Sequence, residues 1–229
     1  MVTVIACTMR PAFMDNLFAN YDRQLWKNKE MIIVLNNDSM DLDLWTERAK
    51  QYPENEVRVF KLPESYTLGK CLNYAISHAK NGVITKFDDD DYYGPKYLRE
   101  SMRAIKKGKA SIIGKHTSYL YFEEKRALMV FRSGGEWQYQ RSIKGGTLLF
   151  WKSVWKKVKF PENKLVGTDS GWIGRCRSRG IRIYSVSKKH YVCIRRKNTD
   201  SHTQKKSTKN YMSHCKFVRR TKYFRRFVN

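Results

Sequence analysis

An α/β domain with a mostly parallel central sheet flanked by helices is the fold class this sequence predicts, and three observations carry it. Short β-branched runs alternate with amphipathic stretches through the first 107 residues, the pattern of strand–helix–strand units. One of those runs ends abruptly in four carboxylates, Asp88, Asp89, Asp90 and Asp91, and ligands in open α/β sheets sit at strand ends. A length of 229 residues with 41% hydrophobic content is enough for one such core.

Thr3 to Cys7 is a β-branched run followed by Thr8-Met9-Arg10-Pro11, a buried first strand ending in a turn. Phe13, Leu17, Tyr21 and Leu25 recur every fourth residue and place a helix from Phe13 to Trp26. Glu30 to Leu35 is a second strand, running into Asn36-Asn37-Asp38, and such residues favour a turn. A helix follows to Tyr52, capped by Asp41. Val57 to Leu62 is the third strand, and Gly69 to about Lys80 the next helix. Val83 to Phe87 is the strand that meets the acid run. Tyr92, Tyr93 and the break at Gly94-Pro95 come next, then a helix from Lys96 to Lys107.

The second half changes character. Ala110 to Gly114, His116 to Phe122 and Ala127 to Arg132 read as strands with short polar joints. Lys144 to Phe150 is a further strand, entered through Gly145 and Gly146; two glycines let a ligand or another backbone approach closely. Ser153 to Lys157 is a short helix. Thr168, Asp169 and Ser170, all good caps, open a basic helix that runs through Trp172 to Gly180, and Ile181 to Val186 is the last strand. After Asp200 the chain carries nine Lys and Arg and no acid, with apolar residues from Tyr211 to Val228 interleaved, which reads as a basic amphipathic helix.

Charge divides the chain. Residues 1–124 hold 18 Lys and Arg against 17 acids, whereas residues 125–229 hold 28 against 4. Nearly the whole net charge of +25 therefore belongs to the second half, and a field of that sign recruits polyanions or anionic surfaces. The five cysteines are scattered with no CxxC pair, which argues against a zinc site or a disulfide framework. No apolar run is long enough to cross a bilayer, and the first residues lack an export-signal pattern, so a reducing cytoplasm is expected. Neither GxGxxG nor GxxxxGK[ST] occurs, which excludes a dinucleotide fingerprint and a P-loop.

Four adjacent carboxylates repel one another. A hard divalent cation such as Mg²⁺ or Mn²⁺ removes that repulsion, and the reading is a metal site for a phosphorylated substrate. Phe87-Asp88-Asp89-Asp90-Asp91, with Pro95 and Leu98 after it, resembles the Asp-x-Asp segment of family 2 glycosyltransferases of the GT-A fold. The resemblance extends over about residues 2–203 with the family's segments in order. It implies that Asp88 and Asp90 hold Mn²⁺ or Mg²⁺ on a donor diphosphate, with His190 or His202 completing the metal shell. It implies donor contacts at Thr8, Arg10, Asp38, Gly69, Lys70, Asn73, Asp88, Asp89 and Arg195. Gly145, Gly146 and Trp172 fall on the acceptor side, and Asp169 takes the place of the family's base in a single inverting displacement.

The expected organisation is one GT-A-like domain over residues 1–202, with a nucleotide-sugar half at 1–107 and an acceptor half at 108–202, followed by a basic tail at 203–229. The expected donor is a nucleoside diphosphate sugar, a UDP-sugar first. The expected acceptor is a glycan, lipid-linked or an anionic polymer, as in small bacterial cell-surface or spore-coat enzymes. The tail is expected to touch an anionic membrane from the cytoplasmic side; a homo-oligomer is compatible with the sequence, and nucleic acid is not the expected partner. Two other classes fit parts of the pattern. A nucleotidyltransferase also needs carboxylates and metal, but the Gly-rich, Lys-containing loop it usually carries after the first strand is missing. A non-enzymatic binder of nucleic acid or anionic polymer would need only the basic half.

Overall fold

The computed structural model describes residues 1–196 and 208–229. At the centre of its larger sheet lies β1 (Val2–Thr8), nearly all buried. Parallel to it run β2 (Lys29–Leu35) on one side and β4 (Val83–Lys86) on the other, with β3 (Val57–Lys61) outside β2. Strands covered on both faces read as continuous apolar runs, which is why these four were legible. The covering helices are α1 (Met14–Asp22), α2 (Leu42–Ala49), α3 (Leu68–His78) and α4 (Tyr97–Lys106). Asp41 caps α2, accepting from the Leu44 amide at 3.1 Å, and Thr67 caps α3 in the same way from Lys70.

Past β4 the sheet becomes mixed. β10 (Leu149–Trp151) lies antiparallel between β4 and β6 (Ile112–Gly114); β11 (Ile183–Ser185) is parallel to β6, and β9 (Gln138–Tyr139) is the antiparallel edge. The order is β3-β2-β1-β4-β10-β6-β11-β9. The expected parallel sheet thus holds through its first four strands. Part of the expected strand 144–150 is instead a 3-10 turn, Gly145–Thr147, which sends β10 back against β4. α5 (Lys152–Lys157) and α6 (Thr168–Arg177) cover this half. One core layer gathers Val4, Phe18, Trp45 and Tyr97, and the other gathers Ile5, Ile32, Phe150 and Trp172.

A second sheet runs β13 (Cys215–Arg220), β8 (Ala127–Phe131), β7 (Ser118–Phe122), β12 (Tyr191–Arg195) and β5 (Tyr92–Tyr93). Here the structure departs from the sequence reading: residues 215–220 are a strand paired antiparallel to β8, not part of an amphipathic helix. The reason is the open edge of β8, whose unpaired amides and carbonyls need partners. Among the described residues of this segment, helix is confined to α7 (Thr208–Ser213) and α8 (Arg225–Val228). Phe224 and Val228 are buried against Tyr92 and Tyr121.

Candidate active site

The parallel strands β1, β2 and β4 all end on one side of the molecule, and the acid run leaves β4 there. Its backbone is held rather than left to wander. Phe87 stacks on Tyr93, centroids 3.9 Å apart, and the Asp88 amide donates to the Tyr93 hydroxyl at 2.7 Å. That hydroxyl donates in turn to the Gly146 carbonyl at 2.6 Å. From α1, Asn16 and Asn20 donate to the Asp91 carbonyl, and Asn16 also to that of Asp89.

Each carboxylate has its own partners. Asp91 is buried, accepting from the Tyr191 hydroxyl at 2.5 Å and the Ile194 amide at 3.0 Å. Burial, with Asp90 and Asp88 nearby, pushes its carboxyl up to about 7. It ties the acid run to β12 and faces the interior. Asp89 accepts from Thr8 at 2.5 Å and pairs with Arg10. Asp90 meets Arg10 at 3.1 Å and Arg196 at 2.5 Å; burial opposes its ionisation, but the two guanidiniums hold it below the usual carboxylate range.

Asp88 takes a different partner. The Lys86 ammonium, on a side chain only 6% exposed, lies 2.7 Å from Asp88 and 2.9 Å from Asp169. Asp169 stands in the first turn of α6, so one buried lysine joins the acid run to the helix from the second half. The backbone of Gly145 and Gly146 lies against both acids: a Cβ at Gly145 would collide with Asp169, and one at Gly146 with Asp88. The close approach expected of the glycine pair is real, and what approaches is two carboxylates. The second oxygen of Asp169, Oδ1, is buried without a hydrogen-bond partner among the described residues, an arrangement that costs stability unless a ligand or water satisfies it.

Several sequence-derived candidates do not touch the acid run, although Asp38 and Lys70 lie at the same end of the sheet, past β2 and β3. Asn73 is saturated: its amide donates to the Phe160 carbonyl and Glu162, and its oxygen accepts from the Trp155 indole and the Phe160 amide, which uses all four of its positions. A Cβ at Gly69 would strike the Pro161 carbonyl, so this glycine serves packing of α3 on residues 161–162. Lys70 remains exposed at the N-terminus of α3, its ammonium over the Tyr66 ring. Asp38 is exposed beyond β2 and accepts from the Glu64 amide. Trp172, expected to face an acceptor, is fully buried, stacks on Phe160 and donates to the Val158 carbonyl. Arg195 is buried with its guanidinium over Tyr211, whereas Arg196, the next residue, reaches Asp90. His190 packs at the start of β12, and the charges acting on its ring are Glu100, Lys115, Lys96 and Lys189 rather than the acid run. His202 lies outside the described residues.

Sequence reasoning missed Lys86 and passed over Arg196 for its neighbour. Both had a signal. Side chains two apart on a strand share a face, which puts Lys86 beside Asp88. Neighbours point oppositely, so only one of Arg195 and Arg196 could face the acids.

Among solved structures the fold is similar to S. aureus TarS residues 1–349 in complex with UDP-GlcNAc, with a TM-score of 0.70 at 18% identity over 90% of this chain. It is also similar to the mannosyltransferase PcManGT from Pyrobaculum calidifontis in complex with GDP-Man and Mn²⁺, with a TM-score of 0.65 at 14% identity over 93% of this chain. The chain spans 61% of that TarS chain and 59% of the mannosyltransferase. No curated protein sequence matches it. The model of the glycosyl transferase family 2 matches residues 3–225, nearly the full length and both halves of the site, and the chain belongs to that family.

Proposed function

We propose that this chain transfers a sugar from a nucleoside diphosphate donor to an acceptor hydroxyl, with inversion. The observation that carries the reading is the bridge from Asp88 through Lys86 to Asp169, which sets a donor-side acid and a basic carboxylate around one ammonium. TarS in complex with UDP-GlcNAc and the mannosyltransferase in complex with GDP-Man support a nucleotide-sugar donor. Thr8, the last residue of β1, and Arg10 just past it hold Asp89 and Asp90 in place on the donor side. Asp169 takes the proton of the attacking hydroxyl. Lys86 holds one of its oxygens, and the unpartnered Oδ1 is the one left to accept.

A divalent metal fits the residues present in a particular way. Among the described residues no group of three or more His, Cys, Asp or Glu could hold one. Asp88 and Asp90 nevertheless supply hard oxygens, and Mg²⁺ is commonly held by one or two carboxylates with substrate phosphates completing its shell. Asp88 and Asp90 would thus hold Mn²⁺ or Mg²⁺ together with the diphosphate, where the ion neutralises charge on the leaving group. The mannosyltransferase complex with GDP-Man and Mn²⁺ supports this.

The acceptor we infer is a cell-surface or spore-coat glycan, the role of the small enzymes the sequence resembles. A cytoplasmic setting agrees with five free cysteines, and no described helix is long and apolar enough to cross a membrane. The test is thermal melting with UDP, GDP and their sugars, with and without Mn²⁺, followed by detection of released diphosphate. Stabilisation by one diphosphate with Mn²⁺, lost in Asp90→Ala, is expected; equal stabilisation of wild type and variant would overturn the metal role of Asp90.

A further inference from the structure

The end of the larger sheet opposite the acid run carries a field that donor chemistry does not use. Under β4, β10, β6, β11 and β9 the connecting segments are rich in Lys and Arg. Two open depressions lie there. One, of about 440 Å³, is lined by Lys80, Lys152, Lys156 and Trp151; the other, of about 300 Å³, by Arg141, Arg177, Arg182 and Tyr139. The turn after α4, with Lys107 and Lys109 exposed, lies between them: the Trp151 amide donates to the Ser111 carbonyl, and the Tyr139 hydroxyl to that of Lys109.

None of these cations forms an ion pair with a carboxylate among the described residues. The lysines also oppose one another's charge. Partial burial, and then Lys156, hold Lys152 below the usual lysine range, and Lys159 is held down by burial, Lys152 and Lys156. Glu30 and Glu162 offset this only in part, and a surplus of like charge on a folded surface calls for an external anion. Under β2 and β3 the same end mixes both signs, Asp22, Glu54 and Glu56 beside Lys27 and Lys29, whereas the lining of the two depressions holds cations and no acid.

We propose that this patch is a docking surface for a bilayer rich in anionic phospholipid. Its shape favours a plane over a thread: five strands at about 4.8 Å spacing make it roughly 19 Å wide, and the cations lie across it instead of lining one channel. Tyr139 and Trp151, exposed at 51% and 36%, belong to the residue types enriched at membrane–water interfaces. Five strand steps of about 3.3 Å separate Gly82 from Phe87, which puts the acid run roughly 16 Å away. A docked molecule therefore presents its site outward, to an acceptor that extends beyond the headgroups.

The test is co-sedimentation with phosphatidylcholine vesicles with and without phosphatidylglycerol, using wild type, Lys80→Gln/Lys156→Gln, and Lys222→Gln/Arg226→Gln in the C-terminal segment. Each lysine near an anionic surface is worth about fivefold in partitioning, so the first pair loses roughly 25-fold, and salt weakens binding throughout. Melting temperature and diphosphate release stay unchanged in that variant; should it melt early, Lys107→Gln/Lys109→Gln on the same patch takes its place. The C-terminal pair is expected to bind as wild type does. Equal sedimentation of wild type and patch variants, loss in the C-terminal pair alone, equal binding to neutral vesicles, or binding to soluble polyphosphate without sedimentation would each overturn the proposal.

Discussion

Lys86 and Asp169 are 83 residues apart in sequence, and the ammonium of one lies 2.9 Å from the carboxylate of the other, with Asp88 at 2.7 Å on the other side. Removing the lysine leaves two partly buried carboxylates facing each other. Lys86→Met is expected to cost about 3 kcal/mol, the low end for breaking a buried pair, because both acids keep some contact with water. Chemical denaturation of wild type, Lys86→Met and Lys86→Met/Asp169→Asn measures it. The double variant should recover part of the loss, since one of the repelling charges is gone. A single variant as stable as wild type would mean the bridge contributes nothing to the fold.

Asp169→Asn keeps the size of the side chain and removes its basicity. Transfer should fall by ~10²–10⁴, the usual contribution of a general base, while diphosphate binding stays within twofold. Turnover of labelled donor sugar, set beside a melting curve with diphosphate, separates the two. A loss under about tenfold would leave the residue only its structural role as the partner of Lys86.

Gly146→Ala inserts a methyl where Asp88 stands. Overpacking of this kind costs ~1–3 kcal/mol, and here the carboxylate must also move. Weaker Mn²⁺-dependent binding of diphosphate than in Gly82→Ala is expected by calorimetry, because nothing lies within 4 Å of a Cβ at Gly82.

His190 gives one pH dependence, set against that of Asp91, whose carboxyl, raised to about 7, adds stability as pH falls. Burial is the leading cause holding its ring below the ordinary 6.5, with Lys115, Lys96 and Lys189 adding to it against Glu100. The folded state therefore prefers the neutral ring, and the unfolded chain binds the extra proton first. The contribution to stability is present above about pH 6.5 and is lost as pH falls toward the depressed folded value. Denaturation midpoints between pH 7.5 and 5 should drop less in His190→Gln than in wild type.

The nucleotide half was legible because its strands are buried on both faces and its helices alternate with them, so composition and period agree. Asp88, Asp90 and Asp169 stood out because acids are scarce around them or crowded without reason. Asn73 and Trp172 misled because their roles depend on residues 155–162, which no local pattern places against them. β5 and β9 are two residues each, too short for any period. β13 alternates poorly, being an edge strand with Phe217 60% exposed, and only the free edge of β8 dictates its conformation.

That pairing has a consequence during synthesis. β8 ends at Phe131 and its outer neighbour begins at Cys215; at 5–20 residues per second the ribosome takes about 4–17 s to make the intervening 83 residues. Throughout that interval the nascent chain displays an unmatched hydrogen-bonding edge formed by apolar Ala127, Leu128, Met129 and Val130. The window for chaperone capture, or for mispairing between neighbouring chains on a polysome, closes only when the last segment emerges and seats Phe224 against Tyr92.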